Sequence, residues 1–374
     1  SSLDGNNGFA INGAFTSNQS GYAVSSAGDV NGDGLADLII GAPGVDPNGT
    51  NQAGGSYVVF GQNSGFGTAF ELSDIDSSNG FVINGIQLGD RSGYAVSGAG
   101  DVNGDGLADL LIGAYRGDPN ELNSGESYVV FGSSQSPGAS LELSSLNATN
   151  GLTINGFGAW ILSGRSVSGA GDVNGDGVDD VVIGADPTDG GGRPPGSAYV
   201  VFGNANLGGE IEASNLNGSN GFIIQGETSN DDVGLAVSRA GDVNGDGIDD
   251  LIIGADPEDP NTRADLGGRS YVVFGNAQGF DATLSLSSLD GTNGFAINGI
   301  TALDGAGRAV SAAGDINHDG IDDLIIGAPG GDPNNLPQAG ESYVVFGSSQ
   351  GFAPSLELSD PDSYTHLRAH ETRR

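Results

Sequence analysis

Apolar residues along this chain come in short runs, each closed by glycine or opened by aspartate. DLIIG (37–41), DLLIG (109–113), DVVIG (180–184), DLIIG (250–254) and DLIIG (323–327) are unbroken by polar residues, as are the YVVF runs that follow each of them. Strands that do not alternate apolar with polar are covered on both faces. Within residues 91–156 the pattern predicts four strands: GYAVSGAG (93–100), DLLIGAY (109–115), SYVVFG (127–132) and GLTING (151–156). They are four to eight residues long, rich in Val, Ile, Tyr and Phe, and bounded by Gly, Asn, Asp and Pro. No segment sustains a 3.6-residue period, so very little helix is expected.

The pattern repeats. An acidic phrase opens at Asp29, Asp101, Asp172, Asp242 and Asp315; YVVFG begins at Tyr57, Tyr128, Tyr199, Tyr271 and Tyr343; a GFxING phrase begins at Gly8, Gly80, Gly151, Gly221 and Gly294. All three keep one period of roughly 71 residues, so the chain holds five copies of one unit, about 20–85, 91–156, 163–226, 233–299 and 306–363. A four-stranded sheet covered on both faces by its sequence neighbours is a propeller blade; stacked solenoids use shorter repeats, about 20–47 residues. The predicted fold is all-β, a β-propeller of four-stranded blades spanning 1–363. Five units leave open a closed five-bladed ring or part of a larger propeller. The first GFxING strand, within 1–13, has no partner strands before it, and the last unit ends at 356–363 without one. Completion of the last blade by the N-terminal strand and truncation at both ends both remain open. Residues 364–374 (YTHLRAHETRR) break the pattern and read as a non-native tail.

Composition narrows the classes. Glycine is 69 of 374 residues, without a three-residue period, which excludes collagen. The net charge is −37, with no Lys among 11 basic residues. So acidic a chain repels phosphate backbones and argues against nucleic acid; its apolar clusters argue against disorder. With no Cys there is no disulfide framework or thiolate metal site. No 18-residue apolar run exists, so no membrane span is expected. The chain begins at Ser1, compatible with a removed or excluded signal peptide.

The acidic phrase carries the chemistry. Numbered from Asp29, oxygen side chains fall at positions 1 (Asp29), 3 (Asn31), 5 (Asp33) and 9 (Asp37), with Gly34 at 6 and the carbonyl of Leu35 at 7. The later copies give Asp101, Asn103, Asp105, Leu107 and Asp109; Asp172, Asn174, Asp176, Val178 and Asp180; Asp242, Asn244, Asp246, Ile248 and Asp250; and Asp315, Asn317, Asp319, Ile321 and Asp323. Hard oxygen donors on alternate residues, a bend-permitting glycine and a carbonyl at 7 are what Ca²⁺ needs. An EF-hand places Glu at position 12; here Ile40, Ile112, Ile183, Ile253 and Ile326 stand there, so the position-9 Asp must complete the set. Asn-Gly and Asp-Gly favour turns on their own, but a plain turn does not explain three carboxylates in nine residues. About five Ca²⁺ ions, one per repeat, are expected, in the affinity range of extracellular modules, roughly 10⁻⁴–10⁻³ M. In the fifth loop His318 replaces the glycine of position 4, and its side chain should point outward.

With loop, strands and period in place, each unit resembles an FG-GAP repeat of the integrin α-subunit β-propeller kind. The glycine of the first motif matches Gly21, Gly93, Gly164, Gly234 and Gly307; GAP stands at 41–43 and 327–329, drifting to GAY at 113–115 and GAD at 184–186 and 254–256. The resemblance implies an extracellular, secreted or cell-surface, calcium-stabilised propeller used in adhesion or ligand binding. Integrin-type propellers have seven blades, where this chain shows five units.

The inter-strand loops at 44–55, 116–126, 187–196, 257–269 and 330–341 vary on a fixed frame, which suits a surface for a protein or glycan ligand. The recurring Asp-Pro-Asn (Asp46, Asp118, Asp259, Asp332) reads as a turn start, and RGDP at 116–119 as one such turn. A purely structural, calcium-stiffened segment of a large surface or matrix protein is the alternative. The chain reads as not being an enzyme: it has no Cys, His318 is its one His outside the tail, and the recurring acids belong to the loops. A carboxylate-based hydrolase is the residual alternative.

Overall fold

The computed structural model describes residues 3–187, 195–227, 231–255, 267–333 and 336–359. Asp259 and the 364–374 tail lie outside the described residues, as do segments of the loops at 187–196, 257–269 and 330–341. The chain divides into two compact units, Ser1–Gly169 with Gly203–Asn215, and Ala170–Phe202 with Leu216–Arg374. The division falls within the strand Ser163–Gly171. Among the described residues there is no α-helix, only short 3-10 turns such as Leu72–Asp74.

In the first unit, the first repeat forms a sheet of Ala23–Gly28, Asp37–Ala42, Gly55–Val59 and Gly80–Asn84, each antiparallel to the next. The second repeats it with Ala95–Gly100, Asp109–Ala114, Glu126–Val130 and Gly151–Asn155. The expected four strands are present, and each sheet gains a short fifth one in parallel from the following repeat, Ser140–Glu142 and Gly209–Glu212 respectively. The N-terminal Ala10–Asn12 stands where a fourth strand does, and Ala69–Glu71 of the first repeat pairs with it in parallel as the short fifth strands do elsewhere. In the second unit, Asp180–Ala185, Ser197–Val201, Gly221–Gln225 and Thr283–Ser285 follow one another in one sheet. Val233–Gly241, Asp250–Ala255, Arg269–Val273, Gly294–Asn298 and Ser355–Glu357 make the next. The last, Ala309–Gly314, Asp323–Ala328 and Glu341–Val345, has three strands among the described residues.

The unbroken apolar runs are explained by the packing. In the first unit Ile39, Val58, Phe81 and Ile83 of the first sheet meet Val96, Leu110, Ile112 and Tyr128 of the second in one core. Leu110 therefore faces the preceding sheet while its neighbour Leu111 points the other way, and both are fully buried. Burying each such side chain contributes about 1.5–3 kcal/mol. In the second unit Val182, Val200 and Phe222 pack in the same way on Leu251, Ile253 and Tyr271.

The motif glycines set how closely sheets approach. A Cβ on Gly41 would collide with the carbonyl of Gly93, and one on Gly113 with the carbonyl of Gly164. The glycine of one repeat's GAP motif thus lies against the first-motif glycine of the next. Successive repeats are also clamped side chain to side chain. Asn84 donates to Glu142 at 2.6 Å, Asn155 to Glu212 at 2.8 Å and Asn298 to Glu357 at 2.6 Å. Where Gln225 stands in the Asn position, its register partner is Ser285, so both halves of the clamp are replaced together.

Candidate metal centre

In the first, second, fourth and fifth repeats the acidic loop leaves the first strand of its sheet through a bulge and enters the second. The register shifts between Ser26 and Gly28, and again between Gly98 and Gly100. Gly28 at φ 73° and Gly100 at φ 81° supply the left-handed residue that the bulge requires.

Beyond the bulge the loop curls around its own acids. In the first copy Asp29 Oδ1 accepts from the N–H groups of Gly32 (2.8 Å) and Asp33 (3.1 Å), and its Oδ2 from Gly34 (2.8 Å). Asn31 Oδ1 accepts from Asp33 N (2.8 Å), and Asp33 Oδ1 from Leu35 N (2.8 Å). The curl recurs. Gly106, Gly177, Gly247 and Gly320 donate to Oδ2 of Asp101, Asp172, Asp242 and Asp315 at 2.8–2.9 Å. Leu107, Val178, Ile248 and Ile321 donate to Oδ1 of Asp105, Asp176, Asp246 and Asp319 at 2.9–3.0 Å. Asn103, Asn174, Asn244 and Asn317 accept from the same position-5 N–H groups. Positions 1, 3 and 5 thus share one tight turn in all five repeats.

Position 9 is placed differently. Asp37, Asp109, Asp180, Asp250 and Asp323 open the second strand and are at most 1% exposed. Asp37 accepts from Val30 N (3.0 Å) and from Gly61 N (2.8 Å), the glycine two residues past the third strand. Asp109 does so from Val102 and Gly132, Asp250 from Val243 and Gly275, and Asp323 from Ile316 and Gly347. This acid therefore fastens the loop to the third strand, a role the spacing did not reveal. Burial pushes the Asp109 carboxyl up to about 7, opposed by the two N–H bonds and reinforced by repulsion from Asp105 and Asp101. Asp250 is pushed up to about 8 by burial in the same way, with Asp246 and Asp242 adding to it. In the first, second and fourth loops, the acids at positions 1 and 5 thus act on the buried position-9 carboxyl by repulsion.

Among the described residues no group of three or more His, Cys, Asp and Glu side chains is gathered as a metal site. The position-9 carboxyls direct their oxygens at backbone N–H groups, so the acids alone do not form a cage. The donor set includes the amide oxygen at position 3 and the peptide carbonyl at position 7. In chemistry that set fits Ca²⁺: every donor is a hard oxygen, and the mutual repulsion of the acids is what a divalent cation offsets.

In the fifth loop His318 is exposed, as expected, but its backbone sits at φ 64° where the other loops place glycine. His318→Gly should raise stability by about 0.5–1 kcal/mol, because a side chain in the left-handed region costs roughly that much net of glycine's greater unfolded-state entropy. Chemical denaturation of the two chains side by side checks it.

The Asp-Pro-Asn acids start turns. Asp46 Oδ1 accepts from Gln52 N at 2.6 Å, and Asp118 and Asp332 make the equivalent bonds to Asn123 and Gln338. The Asp of RGDP is therefore turned into its own loop.

Sequence reasoning passed over position 8. It is Ala36 and Ala108 in the first two loops but Asp179, Asp249 and Asp322 in the others. Asp249 Oδ2 accepts from Asp172 N at 3.0 Å, and Asp322 Oδ2 from Asp242 N at 3.1 Å, each reaching the preceding repeat's loop.

The profile of the FG-GAP repeat matches residues 20–59, 92–130, 163–201, 234–273 and 306–345. Over 208 residues the chain is 32% identical to a Bos taurus protein named phosphatidylinositol-glycan-specific phospholipase D, covering 55% of this chain and 23% of the relative. It is 28% identical over 246 residues to integrin alpha-5 of Xenopus laevis, 63% of this chain and 20% of the relative. A Dictyostelium discoideum protein, also named phosphatidylinositol-glycan-specific phospholipase D, is 25% identical over 309 residues, 80% and 31% respectively. The chain spans less than a third of the length of each of these relatives. They correct one expectation. The absence of Cys and the scarcity of His predict that the chain is not an enzyme, yet relatives at 32% identity carry an enzyme's name. Counting nucleophiles tests only the residues of this chain, which covers 23% of the Bos taurus relative. Among the described residues, no helix is long and apolar enough to cross a membrane.

Proposed function

The chain belongs to the FG-GAP repeat family, and on that premise we propose that its five acidic loops hold Ca²⁺ and that the repeats so fixed present their variable loops to a protein or glycan ligand outside the cell. The observation that supports this reading is the five-fold recurrence of one oxygen-lined turn that gathers an acid, an amide oxygen and a second acid within five residues. In the first loop Asp29, Asn31, Asp33, the Leu35 carbonyl and Asp37 would hold the ion. The other loops would use their equivalents. The bound ion supplies charge neutralisation and a fixed loop geometry. The chain's own residues do the rest: the position-9 acid ties the loop to the third strand, and the Asn–Glu clamps hold one repeat to the next.

The names of the relatives suggest which ligands to try first. A phosphatidylinositol glycan is the substrate class in the phospholipase name, so it is the first glycan to test. Immobilised chain should retain a phosphatidylinositol glycan or an extracellular-matrix protein in about 2 mM calcium and release it in EDTA. Calcium-dependent folding with no retention of either class would favour the second reading, a calcium-stiffened structural segment. The loop-to-loop contact of Ala108 N with Asp29 O at 3.0 Å supports that reading, because it links loops rather than exposing them.

A further inference from the structure

Two of the position-8 acids do more than fill space. Asp249 grips Asp172, the first residue of the preceding loop, by both ends of its backbone. Its Oδ2 accepts from Asp172 N (3.0 Å), and its own N–H donates to Asp172 O (3.3 Å). Its other oxygen is held by Arg239, Nε at 2.9 Å and Nη2 at 2.7 Å, from the adjacent strand Val233–Gly241. Asp322 grips Asp242 in the same two ways, at 3.1 and 3.3 Å. The first two repeats supply a natural comparison. Ala108 makes only the backbone half of this contact, to Asp29 O. The position therefore tolerates alanine, and the acid arm is an addition rather than a requirement of the fold.

The grip is asymmetric along the chain. Asp249 immediately precedes Asp250, which is tied to Val243 within the fourth loop and to Gly275 just past the third strand. Asp172 is the residue whose carboxylate gathers the N–H groups of Asp176 and Gly177 in the third. Whatever fixes Asp250 also fixes Asp249, and Asp249 orients the backbone of Asp172. We propose that Asp249 is a positioning residue that couples Ca²⁺ binding in the fourth loop to Ca²⁺ binding in the third, with Asp322 coupling the fifth to the fourth. This rests on the calcium reading of the loops. Groups that orient a metal ligand alter affinity about 10–100-fold when removed, and coupling between two sites is reciprocal.

The test is a calcium titration of the full chain followed site by site through backbone amide resonances. Gly177 and Gly247 report on the third and fourth loops, because each donates to its loop's position-1 carboxylate. Asp246→Ala disables the fourth loop at an exposed position. It should raise the calcium midpoint read at Gly177 about five-fold or more. In an Asp249→Ala background the third loop should be weaker by about ten-fold and indifferent to Asp246→Ala. Asp249→Asn keeps an oxygen acceptor and should restore the coupling. A Gly177 midpoint unmoved by Asp246→Ala, or a response that persists in Asp249→Ala, overturns the coupling while leaving the calcium reading intact. Neither resonance moving up to millimolar calcium overturns the calcium reading itself.

Discussion

Addition of about 10 mM calcium to the chelated chain is expected to raise its melting midpoint by roughly 9–17 °C. For an ion bound only by the folded state the gain is RT ln(1 + [L]/Kd). With dissociation constants of roughly 10⁻⁴–10⁻³ M, each loop contributes about 1.4–2.7 kcal/mol. A chain of 374 residues unfolds with an entropy near 2 cal/mol/K per residue, so each kcal/mol moves the midpoint by a little over 1 °C. Five loops then give the stated range. The first compact unit holds two loops and the second three, so separate melting of the units leaves the shift similar. Charge screening also stabilises a chain at −37, and magnesium at matched concentration is the control. Magnesium is reluctant to enter a site that lacks near-octahedral geometry, so it should give only the screening part. Equal shifts with the two ions, or a calcium shift below about 2 °C, would remove calcium from the account of these loops.

The strands were legible because their signal is long and repeated. Runs such as DLLIG and YVVFG state their burial on both faces without any knowledge of partners. The short parallel strand Ser140–Glu142 was not legible, because three residues carry no period. Its identity lies in a register with Gly80–Asn84 and in one Asn–Glu hydrogen bond to a residue 58 positions away. The acidic loop shows the same division. Positions 1, 3 and 5 are local, bonded to N–H groups within five residues, and spacing alone located them. Position 9 also serves Gly61, Gly132 and Gly275, which lie 23 to 25 residues on, and position 8 serves a loop 77 or 80 residues back. Spacing rules carry no information about partners at that separation.

That division has a measurable consequence. Asp250→Ala should cost about 2–4 kcal/mol in EDTA, before any metal is present, because it strips the acceptor from the buried N–H groups of Val243 and Gly275, each worth about 1–3 kcal/mol when left unpaired. Removing a crowded buried carboxyl returns part of that loss, which keeps the total below the sum of the two bonds. Asp246→Ala, at the exposed position 5 of the same loop, should change stability in EDTA by less than about 0.5 kcal/mol. In saturating calcium the ranking changes. Asp246→Ala should then lose the contribution of one ion, about 1.4–2.7 kcal/mol at 10 mM, and Asp250→Ala should lose that in addition to its metal-free cost. Asp250→Asn, which retains one acceptor oxygen, should fall between wild type and Asp250→Ala in EDTA. Urea unfolding of the four chains with and without calcium separates the two roles. A cost for Asp250→Ala that appears only in calcium would make this carboxyl a ligand and nothing more. A cost for Asp246→Ala that is the same in both media would mean the exposed acids of the turn hold no ion.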